Sequence, residues 1–334
     1  MVSESSPVIN SAYRFSVAPM LDCTDRHFRL LMRQISRRAM LYTEMVVANA
    51  LYYNNRRNYL LDFNAVEKPI ALQIGGDDPN MLSHAAKLAS AWGYDEINFN
   101  VGCPSKRVKA GNFGAAMMAN PDHVAHCVEA MTNVCSLPIT VKHRIGIDNL
   151  DSDELLINFV DCVASAGAQR FVIHARKAWL EGLSPKENRT IPPLQYDRVA
   201  RIKQRRPQLK VELNGGLNTP NDCLKALETF DGAMVGRAVY SHPLRWQQVD
   251  QLIYGEVHRV IKASEIIRAL IPHTQNHLAN NGKLWDICRH ILQLVEEVAG
   301  SRSWRRELSI KAQKAKADIN ILEAAIKQLE DLGL

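Results

Sequence analysis

Asn214-Gly215-Gly216 and Gly236-Arg237 close the last two of eight short apolar runs in this 334-residue chain. Glycine there lets a backbone approach a ligand closely, and the N–H groups of such turns suit phosphate, with Arg237 adding a charge-assisted bond. Either motif alone reads equally well as a plain strand-to-helix turn. The pair together, in the two positions where barrels commonly bind phosphate, points to a phosphate of a substrate or a cofactor. Ala18-Pro19-Met20 offers backbone groups and a soft apolar side chain to a flat ring. Gln73 offers an amide donor and acceptor, and Lys142 a fixed cation able to neutralise a reduced isoalloxazine. His174 can bond carbonyls of a flavin or of a substrate. Singly, each reads as an ordinary satisfied polar residue; beside a phosphate site they are harder to dismiss. Cys103 stands in NFNVGCPSK. A thiol of ordinary pKa, ~8.5, is protonated at neutral pH and can serve as a general acid. The nucleophilic alternative wants a neighbouring base that the sequence does not name. No cysteine or histidine stands at metal-ligand spacing from it, so no metal site is expected.

The runs that position these groups are FSVAPM (15–20), LYTEMV (41–46), PIALQIG (69–75), EINFNVG (96–102), PITVKHRIG (138–146), RFVIHAR (170–176), KVELNGG (210–216) and GAMVGR (232–237). Most are continuously apolar, as in parallel strands covered on both faces. Amphipathic helices are expected between them over Asp25–Arg38, Pro79–Trp92, Pro121–Val134 and Asp151–Ala166. Eight strands alternating with helices predict an α/β fold, a (β/α)8 TIM barrel; a doubly wound sheet would want a glycine-rich first turn that is absent. Polar residues gather at the C-terminal strand ends, the catalytic face of a barrel. Two long basic loops, 104–120 and 177–193, lie on the same face.

Beyond Pro243 the pattern becomes helical, predicting a C-terminal all-helical bundle domain. One stripe comprises Ile253, Val257, Val260, Ile261, Ile267 and Leu270, ended by Pro272. Others run from Leu284 to Val298 and from Ile319 to Leu329. Between them lies SRSWRRELSIKAQKAK, either a solvated helix face or, through a tryptophan among arginines, an RNA-binding one. The domains expected are a flexible tail over 1–14, a catalytic barrel over 15–242 and a helical unit over 243–334. The chain has 41 basic and 35 acidic residues, a weak lean toward a polyanionic partner. Its 7 scattered cysteines lack a disulfide framework, and no run is long enough for a membrane span, so a reducing, cytoplasmic setting is expected.

APMLDCTDRHFR, YTEMV, ALQIGG, GYDEINFNVGCPSKRV, VKHRIGID, IHARKAWLEGLSPKENR, NGG and MVGR resemble, in order, the motifs of tRNA-dihydrouridine synthases. KAWLEGLSPKENR and the spacing resemble the A-type bacterial group, and GSRSWRREL carries the likeness into the helical region. The resemblance implies an oxidoreductase with FMN held by Pro19, Met20, Leu21, Gln73, Lys142, His174, Asn214, Gly215, Gly216, Gly236 and Arg237. It implies Cys103 as proton donor, and tRNA contacts at Asn100, Lys186, Arg189, Arg302 and Arg305. NADPH, with NADH as the other candidate, would reduce the flavin and leave before tRNA binds a monomeric enzyme. Hydride would pass from flavin N5 to uracil C6 and a proton from Cys103 to C5, at D-loop positions 20 and 20a. Cys23 stands where A-type members often carry tryptophan, placing a second thiol near the mouth. The alternatives are a small-molecule flavin reductase of dihydroorotate-dehydrogenase type and a non-catalytic tRNA-binding factor.

Overall fold

A computed structural model of the protein describes residues 12–54, 57–296 and 298–334. Most of the tail expected over 1–14 lies outside the described residues. Of its last residues, Ala12 is buried, Tyr13 half-buried and Arg14 exposed. Each apolar run forms a strand: β1 (Phe15–Val17), β2 (Leu41–Tyr42), β3 (Val46–Val47), β4 (Ile70–Gly75), β5 (Glu96–Val101), β6 (Ile139–Arg144), β7 (Arg170–His174), β8 (Lys210–Asn214) and β9 (Gly232–Val235). β2 and β3 are two halves of one stave, both parallel to β4. From β4 to β9 every neighbour is parallel, and β1 lies parallel to β9. The Val17 N–H donates to Met40 O and the Met40 N–H to Phe15 O, both at 3.0 Å, which joins the two ends of the sheet. The fold is therefore an eight-stave (β/α)8 barrel.

Helices cover the outside because helix-period segments alternate with the runs. Pro79–Trp92 forms over the expected residues, since Asp78 caps its first turn and Gly93 ends it in the left-handed region. Asp25 is the cap of its helix rather than a member, accepting from the N–H groups of His27 and Phe28. That helix, Arg26–Ile35, stops short of Arg38 because Asp250 takes the Ser36 hydroxyl (2.5 Å) and the Arg37 N–H (2.7 Å). The other two, Pro121–Thr132 and Asp153–Ser165, are a turn or less shorter than expected.

Inward residues on the staves form layers. At the base, buried Arg170 bridges Glu96 (2.7 Å) and Glu212 (3.2 Å). An apolar layer of Met40, Ala71, Val172 and Met234 also fills the interior. Pro243–Trp246 and Val249–Tyr254 lie against the barrel: Trp246 stacks on Phe15, and the Tyr254 hydroxyl donates to Ala12 O (2.8 Å) and accepts from the Phe15 N–H (3.0 Å).

The remaining helices are Ala263–Ala269, Ile271–Ala279, Leu284–Ile291, Ser301–Ala312 and Ile319–Asp331. Two expectations fail here. The stripe from Ile253 to Leu270 is not one helix: Gly255 turns left-handed and ends the first, leaving Val257 and Val260 90% and 76% exposed. Pro272 opens a helix rather than ending one, since a first-turn position needs no N–H. The group docks on Arg26–Ile35 and its cap: Asp25 accepts from His290 (3.0 Å) and Arg289, and the His27 and His273 rings are 2.8 Å apart. Among the described residues no helix is long and apolar enough to cross a membrane.

Candidate active site

The C-terminal ends of the staves converge on a mouth lined by Gln73, Asn100, Lys142, His174 and Asn214. The shared register sets them there: Gln73 pairs with Asn98, Asn100 with Lys142, and His174 with Asn214 on adjoining strands. Lys142 Nζ donates to Asn214 Oδ1 (3.0 Å), and Asn214 Nδ2 donates to Met234 O (2.8 Å), so the lysine is aimed by two neighbouring staves. Cys103 follows β5 in a turn whose Gly102 and Cys103 N–H groups both donate to Asn100 Oδ1 (3.2 and 3.0 Å). The Cys103 carbonyl accepts from Ala115 N–H at 3.0 Å, which fixes the turn from its other side.

The mouth is strongly cationic. Burial pushes Lys142 down to about 8, and the Arg144 charge adds to it. Burial likewise lowers Arg144 to about 10, with Arg189 and Arg176 repelling it further. His174 is held well below its ordinary range by burial first, then by Arg144, Lys142, Arg176 and Arg237. Among the described residues, His174 Nδ1 and Arg176 Nε are buried without a hydrogen-bond partner. Repelling cations and unpartnered polar nitrogens are what a site for an anion with ring or carbonyl groups requires.

Glycine supplies the opening. Gly215 and Gly216 have φ of +105° and +75°. A methyl group on Gly216 would sit 2.4 Å from a Leu194 carbon, and one on Gly215 would sit 3.2 Å from His174 Nε2. At Gly236 an added methyl would meet Met20 Sδ at 3.3 Å, so the first and last staves share this cradle. Pro19 and Met20 are half-buried beside it, and Leu21 is exposed. The residues present therefore fit a phosphate-bearing flat cofactor such as FMN.

Arg144 is a structural centre that the sequence did not single out for a role. It donates to Gly102 O (3.2 Å), Asn188 O (2.9 Å) and Lys177 O (3.3 Å), tying the Cys103 turn to the loop after β7. Lys109 pairs with Glu181 at the surface, so the two long loops touch each other. Buried Asn188 holds its own loop by bonding both the N–H and the carbonyl of Trp179 at 2.8 Å. Nothing in a polar KENR stretch marks that asparagine as buried.

Lys186 and Arg189 are exposed on that loop near the mouth. Arg302 and Arg305 lie on the separate helix Ser301–Ala312, Arg302 exposed and Arg305 half-buried. Trp304 between them is buried and donates its indole N–H to Ala325 O (3.0 Å). The tryptophan that suggested an RNA-binding face is thus an anchor between helices. Cys23 is half-buried by the mouth, its thiol pushed up by burial and only partly relieved by Arg289.

The family model "Dihydrouridine synthase (Dus)" matches residues 16–330. The tRNA-dihydrouridine(20/20a) synthase of Synechocystis sp. is 50% identical over 312 residues, covering 93% of each chain. The protein of that name from Escherichia coli (strain K12) is 49% identical over 319 residues, 95% of this chain and 92% of that one. A solved 2-naphthoyl-CoA reductase complex shares the fold, with a TM-score of 0.56 at 12% identity, over 73% of this chain and 50% of that one. With motifs, barrel and near-complete coverage in agreement, the chain belongs to the dihydrouridine synthase family, in its A-type group.

Proposed function

We propose that the protein is an FMN-dependent tRNA-dihydrouridine synthase that uses NADPH to reduce the C5=C6 bond of D-loop uridines at positions 20 and 20a. The observation that carries the reading is the gathering of Lys142, Arg144, Arg176 and Arg237 around His174, set against the Gly215–Gly216 and Gly236 cradle. FMN, when bound, supplies the hydride that arrives at C6, the electrophilic carbon of the conjugated ring.

The chain's own residues do the rest. Backbone N–H groups of the Asn214–Gly216 and Gly236–Arg237 turns hold the phosphate, with the Arg237 guanidinium beside them. Pro19, Met20, Leu21 and Gln73 flank the ring. Lys142, held by Asn214, stays beside the charge that gathers there. His174 donates to a carbonyl oxygen. The Cys103 thiol gives its proton to C5 as the ring gains electrons at C6, and recovers one from solvent. Asn100, Lys186 and Arg189 at the mouth, with Arg302 and Arg305 on the helical unit beyond the barrel, hold the tRNA. A base that leaves its stack costs a few kcal/mol, and phosphate contacts offset this. One protomer carries every group needed.

The test is position-by-position mapping of dihydrouridine in unmodified tRNA after incubation with purified protein and NADPH. The expected product is dihydrouridine at 20 and 20a. Bound flavin and oxidised NADPH with no dihydrouridine would overturn the reading in favour of a small-molecule reductase.

A further inference from the structure

The barrel interior carries a chain of side-chain hydrogen bonds that runs in one direction. Asn100 Nδ2 donates to Gln73 Oε1 (2.9 Å), and Gln73 Nε2 to Asn98 Oδ1 (2.7 Å). Asn98 Nδ2 donates to Thr140 Oγ1 (2.9 Å), and the Thr140 hydroxyl to Glu96 Oε1 (2.6 Å). Both ends force this polarity. The Glu96 carboxylate, ion-paired with Arg170, can only accept, so Thr140 must donate to it. The other acceptor within Thr140's reach is a carbonyl, Ile97 O (3.3 Å), which leads to the same direction. At the top, the Gly102 and Cys103 N–H groups can only donate, so Asn100 must turn its oxygen to them.

An asparagine side chain has two N–H donors and one oxygen with two lone pairs. Asn100 spends both lone pairs on the Cys103 turn and one N–H on Gln73. One N–H remains, and the residue is 8% exposed, at the rim. We infer that the relay Glu96–Thr140–Asn98–Gln73 is a specificity-determining positioning device. It locks Asn100 so that only a donor faces the substrate, selecting a pyrimidine with a carbonyl oxygen at C4 over one with an amino group. Uracil and cytosine differ there, and a donor meeting an amino group leaves both without partners. This rests on the uridine reduction proposed above. Without the relay, the Asn100 amide is held by its bonds to the Cys103 turn alone, and the choice relaxes.

Thr140→Val keeps the β-branched shape and removes the hydroxyl that passes the polarity on, while Thr140→Ser keeps it. Hydrogen–deuterium exchange is followed at Gly102 and Cys103 in the FMN-loaded enzyme, with helix Pro79–Trp92 as internal reference. In parallel, dihydrouridine formation is competed with tRNA bearing cytidine at the target position. In Thr140→Val, exchange at the turn should quicken while the reference helix is unchanged. The preference for the uridine-bearing tRNA should narrow by about tenfold or more. Thr140→Ser should behave as wild type in both measurements. An unchanged preference in Thr140→Val, with or without faster exchange, overturns the inference. Wild-type protein that forms no dihydrouridine, alongside faster exchange in Thr140→Val, overturns the function while supporting the relay's hold on the turn.

Discussion

Burial and the Arg144 charge both act on Lys142, and its titration is the most direct report on what the mouth is built to receive. Below pH 8 it is charged with or without ligand. Between about 8 and its ordinary value of 10.5 the free protein's lysine is neutral, whereas an anion in the mouth restores the charge. Binding FMN at pH 9 should therefore take up close to one proton, and affinity should fall as pH rises above 8. Calorimetry in two buffers of unlike ionisation enthalpy measures the uptake, which Lys142→Met should abolish. Cys103→Ala makes a complementary prediction. It should still bind FMN and oxidise NADPH with oxygen as acceptor, while dihydrouridine formation drops by about 100-fold or more. Full tRNA reduction by this variant would remove the thiol from the mechanism.

Residue types at the mouth were legible in the sequence because charged and amide groups interrupt apolar runs: Gln73 in ALQIG, Lys142 in TVKHR, His174 in FVIHA. Their mutual roles were not. The same rule marks Glu96, Arg170 and Glu212, whose cluster forms only because three staves bring them together at the barrel base. The direction of an amide depends on partners far along the chain, so the Asn100–Gln73–Asn98 relay has no trace in spacing.

At the scale of elements, continuous apolar runs became staves because helices cover one face and the barrel interior the other. Pro79–Trp92 was readable to the residue because cap, proline and glycine all stand at its ends. Arg26–Ile35 was not, because Asp250 ends it from more than two hundred residues away. The Ile253–Leu270 stripe misled because periodicity persists across Gly255 although the chain does not stay helical. The turns after β8 carry their own prediction. Gly216→Ala adds a methyl to a left-handed residue and drives it into Leu194. It should weaken FMN binding about tenfold or more while lowering stability by roughly 1–3 kcal/mol. Flavin fluorescence titration and denaturant midpoints separate the two effects; unchanged FMN affinity would remove this turn from the phosphate site.

At the scale of the molecule, the docking of the later helices rests on histidines kept neutral. Burial, with His277, His273 and His290 adding, holds His27 down to about 3 against the pull of Asp25; burial lowers His273 as well. An unfolded histidine titrates near 6.5, so below that pH the unfolded chain binds protons the folded one refuses. Stability from these residues is intact above 6.5 and is lost as pH falls toward 3. The denaturant midpoint should decline between pH 7 and 5, and His27→Gln should flatten the decline. On the far helix, Arg302→Ala with Arg305→Ala should weaken tRNA binding and reduce its salt slope by about 2. Unchanged affinity would place the tRNA elsewhere.

The Tyr254 hydroxyl, which grips Ala12 and Phe15, spans 239 positions to the Phe15 N–H. Met40 can cover one edge of Phe15–Val17 soon after synthesis, but the other edge waits for Gly232–Val235 and for that tyrosine. The first stave made is thus the last to be sealed, and contacts of such long separation slow folding. Until then a growing chain carries a bare strand edge that a neighbouring chain could pair with. In a crowded translating cell, the interval before residue 254 emerges is when this enzyme is most exposed to aggregation.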